Sequence, residues 1–206
     1  MKQDPENLLL IFTRNPELGK CKTRLAATVG DETALAIYIF LLEHTISVTR
    51  DLNVSKEVYY SEEIREGDLW DPLVYQKKIQ WGSDLGERMA NAFKAGFKAG
   101  YKRIVIVGSD LYDLGKEDLE IAFKMLQTKD FVLGPASDGG YYLLGMTHFI
   151  PHIFINKNWG TNSVLEDTLA DLKKKNVYLL ETRNDVDVLE DIVNIPIFQA
   201  FLKNIL

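Results

Sequence analysis

Cysteine is almost absent: Cys21 stands alone in 206 residues. It has no partner for a disulfide framework and no Cys or His neighbour at zinc spacing, which excludes a stapled secreted fold and a zinc ribbon. A reducing compartment, the cytoplasm, is the expectation. Long apolar runs are missing too. The longest, residues 34–42, is closed by Glu43 and His44, far short of the ~20 residues a membrane helix requires. The start, Met1-Lys2-Gln3-Asp4-Pro5-Glu6, places acids and a proline where a secretory signal needs a basic start and an apolar centre. Neither membrane insertion nor export is expected. Excess positive charge is also lacking, with 24 basic against 30 acidic side chains and a net charge of -6. That balance disfavours binding to a nucleic acid polymer, which rests on a cationic face. His148 and His152 are four apart, but Pro151 lies between them and no glutamate completes a metalloprotease motif. They are read as structural or surface residues. No Ser/His/Asp or Cys/His constellation is present to argue from.

What the chain does have is a hydrophobic content of 46% and a length that buries roughly 70% of the unfolded surface, enough for a core without staples. Strand and helix signals alternate with no low-complexity linker and no repeat, so residues 1–206 read as a single domain. Strands are expected at 8–12, 57–60, 75–81, 103–107, 131–134, 141–144 and 177–180. Helices are expected at 31–50, 84–99, 116–126 and 163–175, then at 188–206 with an interruption at Pro196. Residues 13–28 read as irregular. Run 8–12 is continuously apolar, as a strand buried on both faces would be, and 31–50 is apolar almost all round, as a well-covered helix would be. Ser83 or Asp84 would cap the helix at 84–99. This order gives an α/β sandwich on a largely parallel sheet. In such sheets ligands sit at the carboxyl ends of the strands, and each polar cluster here follows a strand end.

Four clusters carry chemistry. In Thr13-Arg14-Asn15-Pro16-Glu17-Leu18-Gly19-Lys20-Cys21-Lys22-Thr23-Arg24, four bases face one acid, which suits a phosphate-binding loop. It is not a Walker loop, since Arg14 stands where the first glycine belongs and Cys21 follows Lys20. A solvated basic loop would have the same composition. The second is Gly108-Ser109-Asp110-Leu111-Tyr112-Asp113. Asp110 at the tip of a buried strand is a metal candidate, against a turn or cap role, and Asp113 reads as a turn or cap residue. In the third, Ser137-Asp138-Gly139-Gly140-Tyr141-Tyr142, paired glycines allow close approach to a sugar-like ligand with Asp138 hydrogen-bonding a hydroxyl. The bland alternative is a hairpin turn. In the fourth, Asp185-Val186-Asp187-Val188-Leu189-Glu190-Asp191, Asp187 is either a second metal ligand opposite Asp110 or the start of a helix. Trp70, Trp81 and Trp159 read as core or interface residues before stacking platforms.

Taken in order, these segments, with Asp84-Leu85-Gly86-Glu87-Arg88-Met89, resemble a bacterial family of small nucleotide-diphospho-sugar transferase-like proteins of the glycosyltransferase A fold, associated with radical-SAM proteins and arsenosugar gene neighbourhoods. The layout is more distantly similar to the guanylyltransferases of molybdenum-cofactor and phospholactate pathways and to the cytidylyltransferases of sugar acids. The resemblance implies a three-layer α/β/α sandwich with a mostly parallel mixed sheet. It implies that Thr13, Arg14, Lys22, Arg24 and Arg88 lie on the nucleotide's phosphate side, with a structural salt bridge as the alternative for Arg88. It further implies that Asp110 and Asp187 share Mg²⁺ (or Mn²⁺), and that Asp138, Gly139 and Gly140 line the sugar or acceptor side. Lys22, Asp110 and Asp138 are the catalytic candidates. Tyr112 replaces the proline usual after Ser-Asp, and Val188-Leu189 replace the usual Thr-Pro.

Three functions remain open. The first is glycosyl transfer from a nucleotide diphosphate sugar to a small acceptor. The second is nucleotidyl transfer from a nucleoside triphosphate to a small phosphate or carboxylate acceptor, with pyrophosphate release. The third is a nucleotide-binding module without turnover. The base, sugar, acceptor, stereochemical course and oligomeric state are not legible.

Overall fold

The computed structural model describes residues 4–203. Met1, Lys2 and Gln3 of the N-terminal segment, and Asn204, Ile205 and Leu206 of the expected terminal helix, lie outside the described residues. Seven strands form one sheet in the order β3-β2-β1-β4-β6-β5-β7. They are β1 Asp4–Thr13, β2 Val54–Tyr60, β3 Gln76–Ile79, β4 Arg103–Gly108, β5 Phe131–Pro135, β6 Tyr141–Met146 and β7 Val177–Leu179. The β1–β2, β1–β4, β2–β3 and β5–β7 pairs are parallel, while β6 runs antiparallel to both β4 and β5. The sheet is therefore mixed and mostly parallel.

The helices are α1 Thr23–Val29, α2 Asp31–Thr49, α3 Leu85–Lys98, α4 Lys116–Met125, α5 Val164–Asp171 and α6 Gln199–Leu202. Strand alternation sorts the central residues into two cores. Leu9, Ile11, Val105 and Val107 face Tyr38 and Leu42 of α2 and Leu119 and Phe123 of α4. Leu8, Leu10, Ile104 and Ile106 face Met89, Ala92 and Phe93 of α3. Helices thus cover both faces, and Leu8, Leu9, Leu10 and Ile11 are all fully buried, which is why the run lacks a polar alternation. The apolar back of α2 is covered in turn: Ala34, Ile37 and Leu41 pack with Leu25, Val29, Phe198 and Leu202.

Three details of the helical segments depart from the sequence reading. The irregular stretch 13–28 is shorter, because α1 begins at Thr23. The helix expected at 163–175 ends at Asp171. In place of long helices after 188 there are two 3-10 turns, Leu189–Asp191 and Pro196–Phe198, and the short α6. Pro196 enters at the start of its turn, and Phe198 is drawn into the aromatic cluster with Phe40, Tyr112 and Phe201, so packing outweighs helical periodicity. Of the two cap candidates of α3, Asp84 is the one used. The Asp84 carboxylate accepts from the Glu87 amide at 2.8 Å, while Glu87 accepts from the Ser83 amide and hydroxyl at 2.7 and 2.8 Å. Among the described residues no helix is long and apolar enough to cross a membrane.

Candidate active site

Strand order reverses at β1, between its neighbours β2 and β4, and the loops leaving the carboxyl ends of β1 and β4 flank that switch point. The β1 loop is pinned rather than floppy. Asn15, buried, donates to Glu63 O at 2.8 Å and accepts from the Glu62 amide at 3.0 Å, tying the loop to the end of β2. Cys21 Sγ donates to Asn15 O at 3.2 Å and accepts from the Glu17 amide at 3.4 Å. The lone cysteine is a buried loop staple, and burial pushes its thiol pKa up. Tyr38 Oη, Thr13 Oγ1 and Ser109 Oγ bond one another at 3.1–3.3 Å, and the Arg14 amide donates to Tyr38 Oη at 2.9 Å. That buried hydroxyl cluster joins the two loops. It also occupies the Thr13 hydroxyl, leaving it as a positioning group.

Lys22 caps α1 with φ 48° and ψ 47°, a left-handed conformation uncommon for a residue with a side chain. The ammonium reaches Asp110 Oδ2 at 2.8 Å and Asp187 Oδ1 at 3.0 Å. The side chain is 6% exposed, against 37% for Asp110 and 27% for Asp187. Burial disfavours its charge, but the two carboxylates outweigh that and its pKa is raised. Arg24 pairs with the other oxygen of Asp187. Neither aspartate spends its side chain on a cap. Asp191 Oδ2 instead accepts from the amides of Asp187 and Val188, both at 2.8 Å. Gly115 begins α4, with Asp118 closing on its amide, while Asp113 accepts from the Asn184 amide at 3.3 Å. Asp113 therefore latches the C-terminal segment and is not the cap of α4. Tyr112, in the place of a proline, stacks on Phe40 and meets Phe198 edge-on, and Asp110 still reaches Lys22 beside it.

Three of the loop's four cations are committed to carboxylates: Lys20 to Glu17 and Glu62, Lys22 to Asp110 and Asp187, Arg24 to Asp187. Among the described residues Arg14 is exposed and without an ion pair. Arg88, in the first turn of α3, donates from Nε to Gly82 O at 3.2 Å and forms none of the ion pairs found among the described residues.

Next to Asp110 opens a cleft of about 210 Å³. Its walls include Phe12, Leu85, Met89, Tyr141 and Trp159 together with Asp110, Asp138 and Asp185. Asp138 lies in the turn between β5 and β6, which is a hairpin, and accepts from the Gly140 amide at 2.8 Å. Asp138 and Gly140 face the cleft; Gly139 does not. At φ 88° it is pressed against the Asn162 backbone, 2.2 Å from where a Cβ would sit, and its carbonyl accepts from Leu165 N. Trp159 closes the far wall, with its indole against Gly86 and its ring edge-on to Tyr141. Trp70 is buried against Tyr75, and Trp81 is exposed.

Asp185 was not singled out by its sequence position, although it belongs to the acidic run. Burial, with Asp187, Asp110 and Asp138 nearby, raises its pKa to about 6. The signal that could have found it is the i, i+2 spacing to Asp187, which in an extended segment puts the two side chains on the same side. Asn15, Tyr38 and Ser109 were equally invisible, because their contacts are all distant in sequence.

As a cation site, the donor set is hard oxygen from two carboxylates that already converge on one ammonium. That fits Mg²⁺ or Mn²⁺, which need only one or two carboxylates when water and phosphate complete the shell. Among the described residues no three His, Cys, Asp or Glu side chains gather into a complete ligand set.

The family described as an uncharacterized protein conserved in bacteria (DUF2064) matches residues 45–161. A crystal structure from Desulfovibrio desulfuricans G20, of a protein provisionally named a nucleotide-diphospho-sugar transferase, is similar at 31% identity and TM-score 0.85, over 97% of this chain and 95% of that one. The inositol-1-phosphate CTP transferase of T. maritima (13% identity, TM-score 0.60, 98% and 97% covered) shares the fold. So does a 4-diphosphocytidyl-2C-methyl-D-erythritol synthase (12%, 0.60, 96% and 100%). No curated protein matches the sequence.

Proposed function

The chain belongs to the DUF2064 family, and from that premise we propose that it is a transferase using a nucleotide-activated substrate: it moves a glycosyl group from a nucleotide diphosphate sugar to a small acceptor with the help of Mg²⁺ or Mn²⁺. The observation that carries this reading is the Lys22 ammonium held between Asp110 and Asp187 at the strand switch point, beside a cleft of separate character. The name of the Desulfovibrio relative supports the same class.

On this reading the donor's diphosphate lies over the β1 loop, with Arg14 as its free cation and Lys22 and Arg24 turning toward it from their carboxylates. Asp110 and Asp187 hold the divalent ion. The chemistry such an ion supplies is neutralisation of charge on the departing diphosphate. The sugar and acceptor occupy the cleft, where Asp138 and Gly140 offer an acceptor and a backbone edge to hydroxyls. In the transfer an acceptor atom bonds the anomeric carbon, the bond from that carbon to the β-phosphate oxygen breaks, and the acceptor's proton passes to a base. Asp138, exposed on the cleft wall, is placed to take it. Transfer of a nucleotidyl group is the less supported course. A triphosphate carries more charge to hold than a diphosphate, and with Lys20 kept by Glu17 and Glu62 the loop brings only Arg14, Lys22 and Arg24 to the nucleotide.

The deciding experiment incubates the protein with Mg²⁺, nucleotide sugars or nucleoside triphosphates, and hydroxylated, amino, acidic and phosphorylated acceptors. Acceptor-dependent release of nucleoside diphosphate is expected. Pyrophosphate release would replace this reading with nucleotidyl transfer, and tight nucleotide binding without turnover would leave only a binding module.

A further inference from the structure

The cleft beside Asp110 has an unusual charge. Its charged lining residues are Asp110, Asp138 and Asp185, and no Lys, Arg or His lines it. Asp110 is neutralised from behind by Lys22. Asp138 and Asp185 have no ion pair among those found in the described residues; Asp138 accepts from the Gly140 amide, and the Asp185 carboxylate has its own backbone amide as a donor. Asp185 is half-buried. A carboxylate partly removed from water with no cation to pair with is costly, so this wall is built for something that brings positive charge.

The other walls agree. Phe12, Tyr141 and Trp159 line the cleft with rings, and Leu85 and Met89 with aliphatic surface. The Tyr141 hydroxyl is buried away from solvent, so Tyr141 offers the cleft its ring rather than a polar tip. Ring faces carry negative quadrupole density and attract cations, ammonium groups included. An anionic acceptor finds nothing here: Lys22 and Arg24 lie outside the lining and are tied to aspartates.

We infer that the acceptor taken by this cleft is a small organic cation, an amine with an apolar body, gripped by Asp138 and Asp185 at its charged end and by the aromatic wall along its body. The inference rests on the proposed function for the identity of this cleft as the acceptor side. It narrows the substrate class and excludes acidic and phosphorylated acceptors.

The test uses three probes of one shape on the full chain without nucleotide: tyramine (cationic), 4-hydroxyphenethyl alcohol (neutral) and 4-hydroxyphenylacetate (anionic). Binding is measured by calorimetry and melting shift. Tyramine is expected to bind at least about tenfold tighter than 4-hydroxyphenylacetate, with the alcohol between, as two facing carboxylates and a ring wall require. In Asp185→Asn and in Asp138→Asn, each checked for an unchanged circular dichroism spectrum, the preference is expected to shrink. Equal binding of the three, preference for the carboxylate, or no tyramine binding would overturn the inference. So would a preference untouched in both variants. UDP and GDP are titrated into the same preparation. Absence of nucleotide binding with the amine preference intact would tell against the transferase reading and leave the charge selectivity standing.

Discussion

Lys22 Nζ lies 2.8 Å from Asp110 Oδ2, joining the loop after β1 to the loop after β4 across the switch point of the sheet. The same ammonium reaches Asp187 at 3.0 Å, so one side chain holds apart two carboxylates that would otherwise repel. Lys22→Met leaves them facing each other. Both are partly exposed, which tempers the cost, and a loss of about 1–2 kcal/mol in a urea melt at neutral pH is expected. Millimolar Mg²⁺ is expected to restore part of that loss in the variant and to change the parent protein less. An undiminished melt, or equal Mg²⁺ effects on both proteins, would refute the role given to Lys22.

Arg14 is the one cation of its loop without a carboxylate partner among the described residues, and its backbone is fixed by Tyr38. A fixed backbone carrying a free guanidinium is suited to an incoming diphosphate. Arg14→Ala should weaken nucleotide binding about tenfold or more, the scale of a lost charged hydrogen bond, with melting behaviour unchanged in the absence of nucleotide. Lys20→Ala, which only breaks exposed pairs with Glu17 and Glu62, should change neither. Calorimetric titration with UDP and GDP separates the two.

The contrast between these lysines and arginines marks what a sequence can carry. The sheet and most helices were legible because burial on both faces writes itself into runs such as Leu8-Leu9-Leu10-Ile11, and because Asp84, Ser83 and Glu87 spell a helix start locally. Lys22, Asp110, Asp138 and Asp187 were legible as chemical types at strand ends. Which cation is spent and which is free was not, since Lys22 meets a partner 165 residues away. The same holds for Asp185, whose neighbours Asp110 and Asp138 come from two other loops. The terminal helices failed for a related reason: the apolar residues after 188 read as helical, but they are used to cover α1 and α2.

Lys56 offers a pH test far from the site. It is buried, with its ammonium donating only to the carbonyls of Leu52 at 2.7 Å and Val54 at 3.2 Å, and burial lowers its pKa below the ordinary 10.5. Between the folded value and 10.5 the unfolded chain binds more protons, so this group's contribution to stability rises with pH across that window. Relative to Lys56→Met, the parent protein should therefore gain stability as pH climbs toward 10.5. A difference that narrows or widens in the opposite sense, measured by urea melts across the range, would contradict the assigned shift.

Gly86 sets the distance between α3 and the Trp159 wall of the cleft. A Cβ there would fall 2.4 Å from Trp159 Nε1 and 2.5 Å from the Phe154 carbonyl, and the carbonyl belongs to backbone that cannot swing aside. Gly86 lies in the helix without a positive φ, so alanine's better helix propensity would favour the substitution and only the clash opposes it. Overpacking of this kind costs about 1–3 kcal/mol, more than the propensity returns. Gly86→Ala should be destabilised in urea, shift the Trp159 fluorescence, and weaken ligands of the cleft more than nucleotides of the β1 loop. A variant as stable as the parent, with unaltered fluorescence, would mean that the indole does not pack on α3 and that the far wall of the cleft stands elsewhere.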